Sequence, residues 1–251
     1  MPLYDKPVRD LFKNFVSERG LAKGHLFSRK DVVSWFSERY PKVKKGTISA
    51  HLLMLSTNAP SRIHYNPRTD GQDDLFYQID SSHFRLYDPT VDATPIRKTN
   101  GAQAGASEAD SDDEIAEDVA YTKEFAYERD LKNYLSKNLS IIESGLSLYE
   151  EEGISGLEFP VGGRFIDILA LDKHNDYVVV ELKVSRGYDR VIGQLLRYMA
   201  WIEKNQADAN QRVRGIIIAG NISEDLILAA SKLGDVELFE YNLAMTLRRI
   251  K

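Results

Sequence analysis

The sequence predicts an α/β body built on a mixed sheet, preceded by a small α+β head. Three observations carry that expectation. Helix-period and strand-period segments alternate through residues 125–241, whereas residues 1–96 place three helix-period segments ahead of two strand-like runs. Between them, at residues 97–122, runs a connector in which Thr99 through Glu114 holds no aromatic or large aliphatic residue and is rich in Gly, Ala, Ser and acid. Such a stretch buries too little apolar area to offset its ordering entropy, so it reads as an acidic flexible linker. The predicted division is therefore 1–96, 97–122 and 123–251.

The head is read from its apolar spacing and its stops. Val8, Leu11, Phe12, Phe15 and Val16 fall at helical intervals, and Gly20 follows as a stop. Ser28 with Asp31 forms an N-cap pattern opening a second helix with Val32, Val33 and Phe36 inward. Thr47 is expected to cap a third helix with Ile48, Leu52 and Leu55 on its apolar side. Arg62-Ile-His-Tyr and Asp74-Leu-Phe-Tyr-Gln-Ile then read as two strands around a turn with Pro67, Asp70 and Gly71. Three helices followed by a hairpin is the order of a winged helix, which would send the third helix into a DNA major groove. Its expected DNA contacts are Lys42, Lys44, Lys45, Thr47, Ser49 and His51 around that helix, with Arg62, His64 and Arg68 on the wing. A protein-docking module whose lysines merely solvate a loop is the alternative.

In the body, residues 128–139 read as a helix with Leu131, Tyr134, Leu135 and Leu139 on one side. Residues 164–171 and 177–184 read as strands joined by the polar turn Asp172-Lys-His-Asn-Asp. A helix over 193–203 follows, with Leu195, Leu196, Met199 and Ile202. Gly215-Ile-Ile-Ile-Ala is a fully apolar strand of the kind buried at a sheet's centre, and residues 225–233 and 236–241 add a helix and a last strand.

Composition bounds the chemistry. The 251 residues include no cysteine, which excludes disulfides and thiolate metal sites. No apolar run approaches the roughly 20 residues that span a bilayer, and Met1-Pro2-Leu3-Tyr4-Asp5 begins no signal peptide, so a cytoplasmic protein is expected. The net charge of -5 divides into +5 over residues 1–98, -7 over 99–124 and -3 over 125–251. A basic head beside an acidic connector keeps a nucleic-acid partner open, because local patches set the encounter.

Asp167, Glu181 and Lys183 interrupt two strongly apolar runs, and carboxylates in buried strands carry a desolvation cost usually accepted for function. Alternation projects Glu181 and Lys183 to one face. A turn centred near residues 174–175 brings Asp167 close to residue 182, within one step of Glu181. Two hard carboxylates and a lysine at one point suit Mg²⁺ and phosphodiester cleavage, with Mn²⁺ able to substitute. Arg164, beside the first strand, either contacts phosphate or simply flanks the strand.

Asp167 followed by Glu181-Leu182-Lys183 resembles the PD-(D/E)xK nuclease signature. Glu128-Arg-Asp-Leu, Ile142-Glu-Ser-Gly-Leu, Gly163-Arg-Phe-Ile-Asp-Ile-Leu, Gln194-Leu-Leu-Arg-Tyr and Val213-Arg-Gly extend the likeness to the C-terminal nuclease domain of the EndoMS/NucS endonuclease family, over about half the chain. The resemblance implies a restriction-endonuclease-like fold, with Asp167, Glu181 and the backbone carbonyl of Leu182 as metal ligands and Lys183 as the catalytic lysine. It also implies Glu128 near the metal and Gln194 supporting the site, with Tyr198 structural. Ile166 stands where the general signature has proline. Residues 1–98 do not resemble the β-rich N-terminal domain of that family, so mismatch specificity is not carried over.

The expected function is a Mg²⁺-dependent endonuclease, restriction-type or modification-dependent, that cuts double-stranded DNA chosen by the head. Cutting both strands needs two sites, which suggests a homodimer. The alternatives are a repair endonuclease for mismatched or branched DNA, and a DNA-binding regulator with a nuclease-like scaffold.

Overall fold

The structure, a computed structural model, describes residues 3–97, 118–183 and 188–242. Most of the expected linker, Val184 and the basic Leu247-Arg-Arg-Ile-Lys lie outside the described residues. No helix among those described is long and apolar enough to cross a membrane.

In the head, α1 (Val8–Glu18) buries Val8, Leu11, Phe12 and Phe15, and Gly20 beyond it takes the left-handed φ of 58°. Strand β1 (Phe27–Ser28) leads into α2 (Arg29–Arg39), which opens on a complete capping box: Ser28 Oγ accepts from the Asp31 N–H while Asp31 accepts from the Ser28 N–H. Helix α3 (Lys45–Met54) starts after Lys44, so Thr47 lies inside it and is not its cap. The expected strand at Arg62-Ile-His-Tyr is instead a 3₁₀ helix (Pro60–Tyr65), opened by a proline that fits a first turn. The hairpin comes later in the chain, from β2 (Phe76–Gln78) and β3 (His83–Leu86), whose turn is tied by Asp80 accepting from the N–H groups of Ser82 and His83. The three short strands form one antiparallel sheet in the order β1-β3-β2.

The body begins with α4 (Asp118–Lys137), which takes in residues 118–122 that the sequence assigns to the linker. Short pieces β4 (Ser147–Leu148), β5 (Glu150–Glu151) and β6 (Ile154–Ser155) precede β7 (Leu157–Val161). The hairpin β8 (Arg164–Leu171) and β9 (Tyr177–Lys183) follows, then α5 (Tyr188–Asn205), β10 (Val213–Ala219), α6 (Glu224–Ala230) and β11 (Val236–Glu240). The sheet order is β11-β10-β9-β8-β4, with β7 also on β8. Strands β9, β10 and β11 run parallel while β8 is antiparallel to its neighbours, which makes the sheet mixed as expected.

Two cores flank this sheet. Val178, Val180, Leu182, Ile216 and Ile218 pack with Leu131 and Leu135 of α4. Val179 and Ile217 pack with Leu195, Tyr198 and Ile202 of α5, and this cluster is continuous with the core of the head. The contact is made by α3, which is buried from Gly46 through Met54. A helix apolar nearly all round belongs in an interior. Gly46 permits the approach: a Cβ there would overlap Gln206 Oε1 and come within 2.8 Å of the Phe159 ring.

Candidate active site

Hairpin register places the central carboxylates. Ile168 pairs with Val180 and Leu169 with Val179, so one further step sets Asp167 opposite Glu181. That is one position from the sequence-based pairing, because the turn centres on His174, where Asp172 accepts from the N–H groups of His174 and Asp176. Asp167 Oδ2 accepts from the N–H of Leu182 at 2.9 Å, which fastens the carboxylate across the strands. Lys183 Nζ lies 3.2 Å from Glu181 Oε1.

Helix α5 orients the glutamate. Gln194 Nε2 donates to Glu181 Oε1 at 2.7 Å and approaches the Tyr198 hydroxyl at 3.1 Å. Residues 194 and 198 are one turn apart and share a helix face. Glu181 is 2% exposed, and its Oε2 is buried without a hydrogen-bond partner among the described residues. Burial, then the negative charge of Asp167, pushes its pKa up to about 8 against the attraction of Lys183. Burial alone would lower the Lys183 ammonium, yet the charges of Glu181 and Asp167 hold it above its ordinary value. The charge of Glu128 reaches both groups, which places this α4 residue beside the site. Arg164, exposed at the start of β8, acts electrostatically on Tyr198.

Sequence reasoning missed two residues here. Lys132, one turn beyond Glu128 on α4, places Nζ 3.3 Å from Asp167 Oδ1 and 2.7 Å from Glu158 Oε1. Burial alone would raise the Glu158 carboxyl, but His64, with Nε2 2.7 Å away, and Lys132 hold it down at about 2. The i, i+4 spacing of Glu128 and Lys132 was a usable signal; Glu158 lies in a strand that the sequence did not announce.

The predicted reading face of the head is overturned. Thr47 is buried and donates to Glu151 at 2.5 Å; Ser49 is buried; His51 is buried with Nδ1 2.8 Å from the Thr47 carbonyl, and burial lowers its pKa to about 4. Lys44 is taken up by Asp208 and the Tyr177 hydroxyl. On the expected wing, Arg62 is buried against Asp74, His64 meets Glu158, and Arg68 binds Asp73 and Asp10. Only Lys42, Lys45 and Arg164 among the ten expected DNA contacts are exposed. The third helix faces the nuclease-like sheet, where its apolar perimeter is covered, and so offers no groove-reading surface in this arrangement.

Comparison with known proteins bears on the two halves separately. Residues 127–241 match the family described as the Endonuclease NucS C-terminal domain. The C-terminal domain is NucS-like. Residues 7–86 match a domain of unknown function, DUF7669. Endonuclease NucS of Pyrococcus abyssi is 27% identical over 128 residues, covering 51% of this chain and 45% of that protein. Endonuclease NucS 2 of Halobacterium salinarum is 32% identical over 130 residues, covering 51% and 48%. The chain thus spans under half the length of these curated relatives. A solved repair endonuclease from Pyrococcus abyssi aligns at TM-score 0.37 and 19% identity, over 64% of this chain and 52% of that one.

The NucS-like domain offers hard oxygen donors to a cation. The orphaned Oε2 of Glu181 is aimed at no donor among the described residues, and Asp167 stands opposite on β8. No three Asp, Glu or His side chains gather as a metal cage among the described residues. A pair of carboxylates is nevertheless the donor set that suits Mg²⁺, which keeps several waters.

Proposed function

We propose that the protein is a divalent-metal-dependent endonuclease of the PD-(D/E)xK type acting on double-stranded DNA. The observation that carries this reading is the buried Glu181, with one oxygen unpartnered, set beside Asp167 and Lys183. Burying a carboxylate with one oxygen unpartnered is costly, and a scaffold has no use for it. Asp167, Glu181 and the Leu182 carbonyl would hold Mg²⁺ or Mn²⁺, whose chemistry when bound is to polarise a phosphoryl oxygen and acidify a water. Gln194 fixes the orientation of Glu181, and Lys183 sets a positive charge beside the point where negative charge develops on the phosphate. Glu128 adds negative field on the α4 side.

We assign target choice to the head, which matches a domain of unknown function, through surfaces other than the enclosed α3. The reading is a restriction-type or modification-dependent enzyme with a winged-helix-like head and a homodimeric assembly that cuts both strands. Lys42, Lys45 and Arg164 are the expected phosphate contacts that lie exposed. The test is incubation with Mg²⁺ or Mn²⁺ and plain, methylated, mismatched or branched duplexes, beside Asp167→Ala and Lys183→Ala. Cutting of methylated DNA alone supports the modification-dependent form; cutting of mismatched or branched DNA moves the protein to repair. Binding without cutting on every substrate leaves the regulator reading, and cutting that survives both substitutions refutes the site.

A further inference from the structure

The row of carboxylates across the sheet has a member that the proposed chemistry does not use. Leu157 pairs with Ile168 and Phe159 with Ile166, so Glu158 of β7 falls opposite Asp167 of β8. Like charges facing across a strand pair repel. The ammonium of Lys132 sits between them, closer to Glu158 at 2.7 Å than to Asp167 at 3.3 Å. Glu158 also has a left-handed backbone, φ 49°, which a non-glycine residue keeps only where its surroundings hold it. The head does the holding. The 3₁₀ helix Pro60–Tyr65 brings His64 Nε2 to 2.7 Å from the Glu158 carboxylate, and the buried Tyr65 hydroxyl donates to the Glu158 carbonyl at 3.1 Å.

We propose that Glu158 is a positioning residue that draws Lys132 off Asp167, leaving that carboxylate available to a divalent cation, and that the head sets this balance by gripping Glu158. The proposal rests on the nuclease reading above. Without the Glu158 charge, Lys132 keeps Asp167 as a close anionic partner and competes with the cation for it. The metal site is then complete only when the head is seated on the sheet.

The test is calorimetric binding of Mn²⁺ to the metal-free full-length chain without DNA, beside cleavage assays. Glu158→Gln is expected to weaken Mn²⁺ binding about tenfold, in the range typical of groups that orient metal ligands. Adding Lys132→Met to Glu158→Gln is expected to restore the affinity, because the competing ammonium is gone; a loss caused by general damage would not be rescued. His64→Ala with Tyr65→Phe is expected to weaken binding in the same direction, again with rescue by Lys132→Met. Unchanged affinity in Glu158→Gln, or no rescue, overturns the positioning role while wild-type binding and cutting stand. Unchanged affinity in the head variant overturns the part given to the head. A wild-type chain that neither binds Mn²⁺ nor cuts DNA overturns the nuclease reading and this proposal with it.

Discussion

Replacing Glu181 by glutamine sets the demands of the fold against those of the site. The substitution keeps the shape and an oxygen for the Gln194 amide, and removes a charge from a group that is 2% exposed. Burial and Asp167 raise this carboxyl from 4.5 to about 8. A carboxylate whose folded-state pKa is raised favours folding fully below its unfolded pKa, and that contribution is lost as pH climbs to the folded value. The window is therefore pH 4.5 to 8. Across it, a rise of about three and a half pKa units at about 1.4 kcal/mol each amounts to about 5 kcal/mol against the ionised wild type. That shift already contains the attraction of the part-buried Lys183, so losing this partner adds no separate offset. A gain on the order of 5 kcal/mol at alkaline pH is expected. Urea denaturation of metal-free wild type and variant at pH 5 and pH 8.5 reads it directly. The variant should be clearly more stable at pH 8.5 and nearly equal at pH 5, while Mn²⁺ binding is lost. An equal difference at both pH values would refute the assignment of Glu181 as a carboxyl held up by burial and Asp167.

Three further outcomes are expected. Gly46→Ala should destabilise the chain by about 1–3 kcal/mol in urea denaturation, since the added methyl meets Gln206 and Phe159; a neutral result would mean that α3 does not pack this closely. Lys42→Ala with Lys45→Ala should weaken duplex binding at every sequence and lower the salt slope by about 2, whereas Thr47→Ser should leave it unchanged; fluorescence anisotropy across a salt series separates the two. His51 has a lowered folded-state pKa of about 4, so its contribution is intact above 6.5 and is lost as pH falls below that, by up to about 3 kcal/mol near pH 4. His51→Gln should flatten that acid limb of the stability profile.

The hairpin carrying Asp167, Glu181 and Lys183 was legible because its apolar runs are long and its turn is polar, so strand type, face and register were all constrained to within one residue. The capping box at Ser28 was equally plain. Strands β4 to β7 were not, because the two-residue strands β4 to β6 have no measurable period and the five residues of β7 bury Phe159, Pro160 and Val161 in a row, with no alternation. Without β7 the register that faces Glu158 to Asp167 could not be drawn. The head failed in a more instructive way. Ser49 and His51 look like a polar side of α3, yet Ile48, Ala50, Leu52, Leu53 and Met54 leave that helix no solvent face. His51 and Ser49 are small enough polar groups to be enclosed there, His51 by bonding back to the Thr47 carbonyl. Local spacing identifies a helix; which surface covers it is decided by partners a hundred residues away.

Under the proposed division of roles, that enclosed helix governs how the head could be exchanged. Grafting another reader in place of residues 3–97 would leave a trench over Phe159, Tyr177 and Gln206, and would strand Glu151 without the Thr47 hydroxyl. A chimera that works must carry its own plug for the trench, a close-approaching small residue where Gly46 stands, and a grip on Glu158. Heads and bodies packed in this way are exchangeable only as matched pairs, so a change of head obliges the body to change with it.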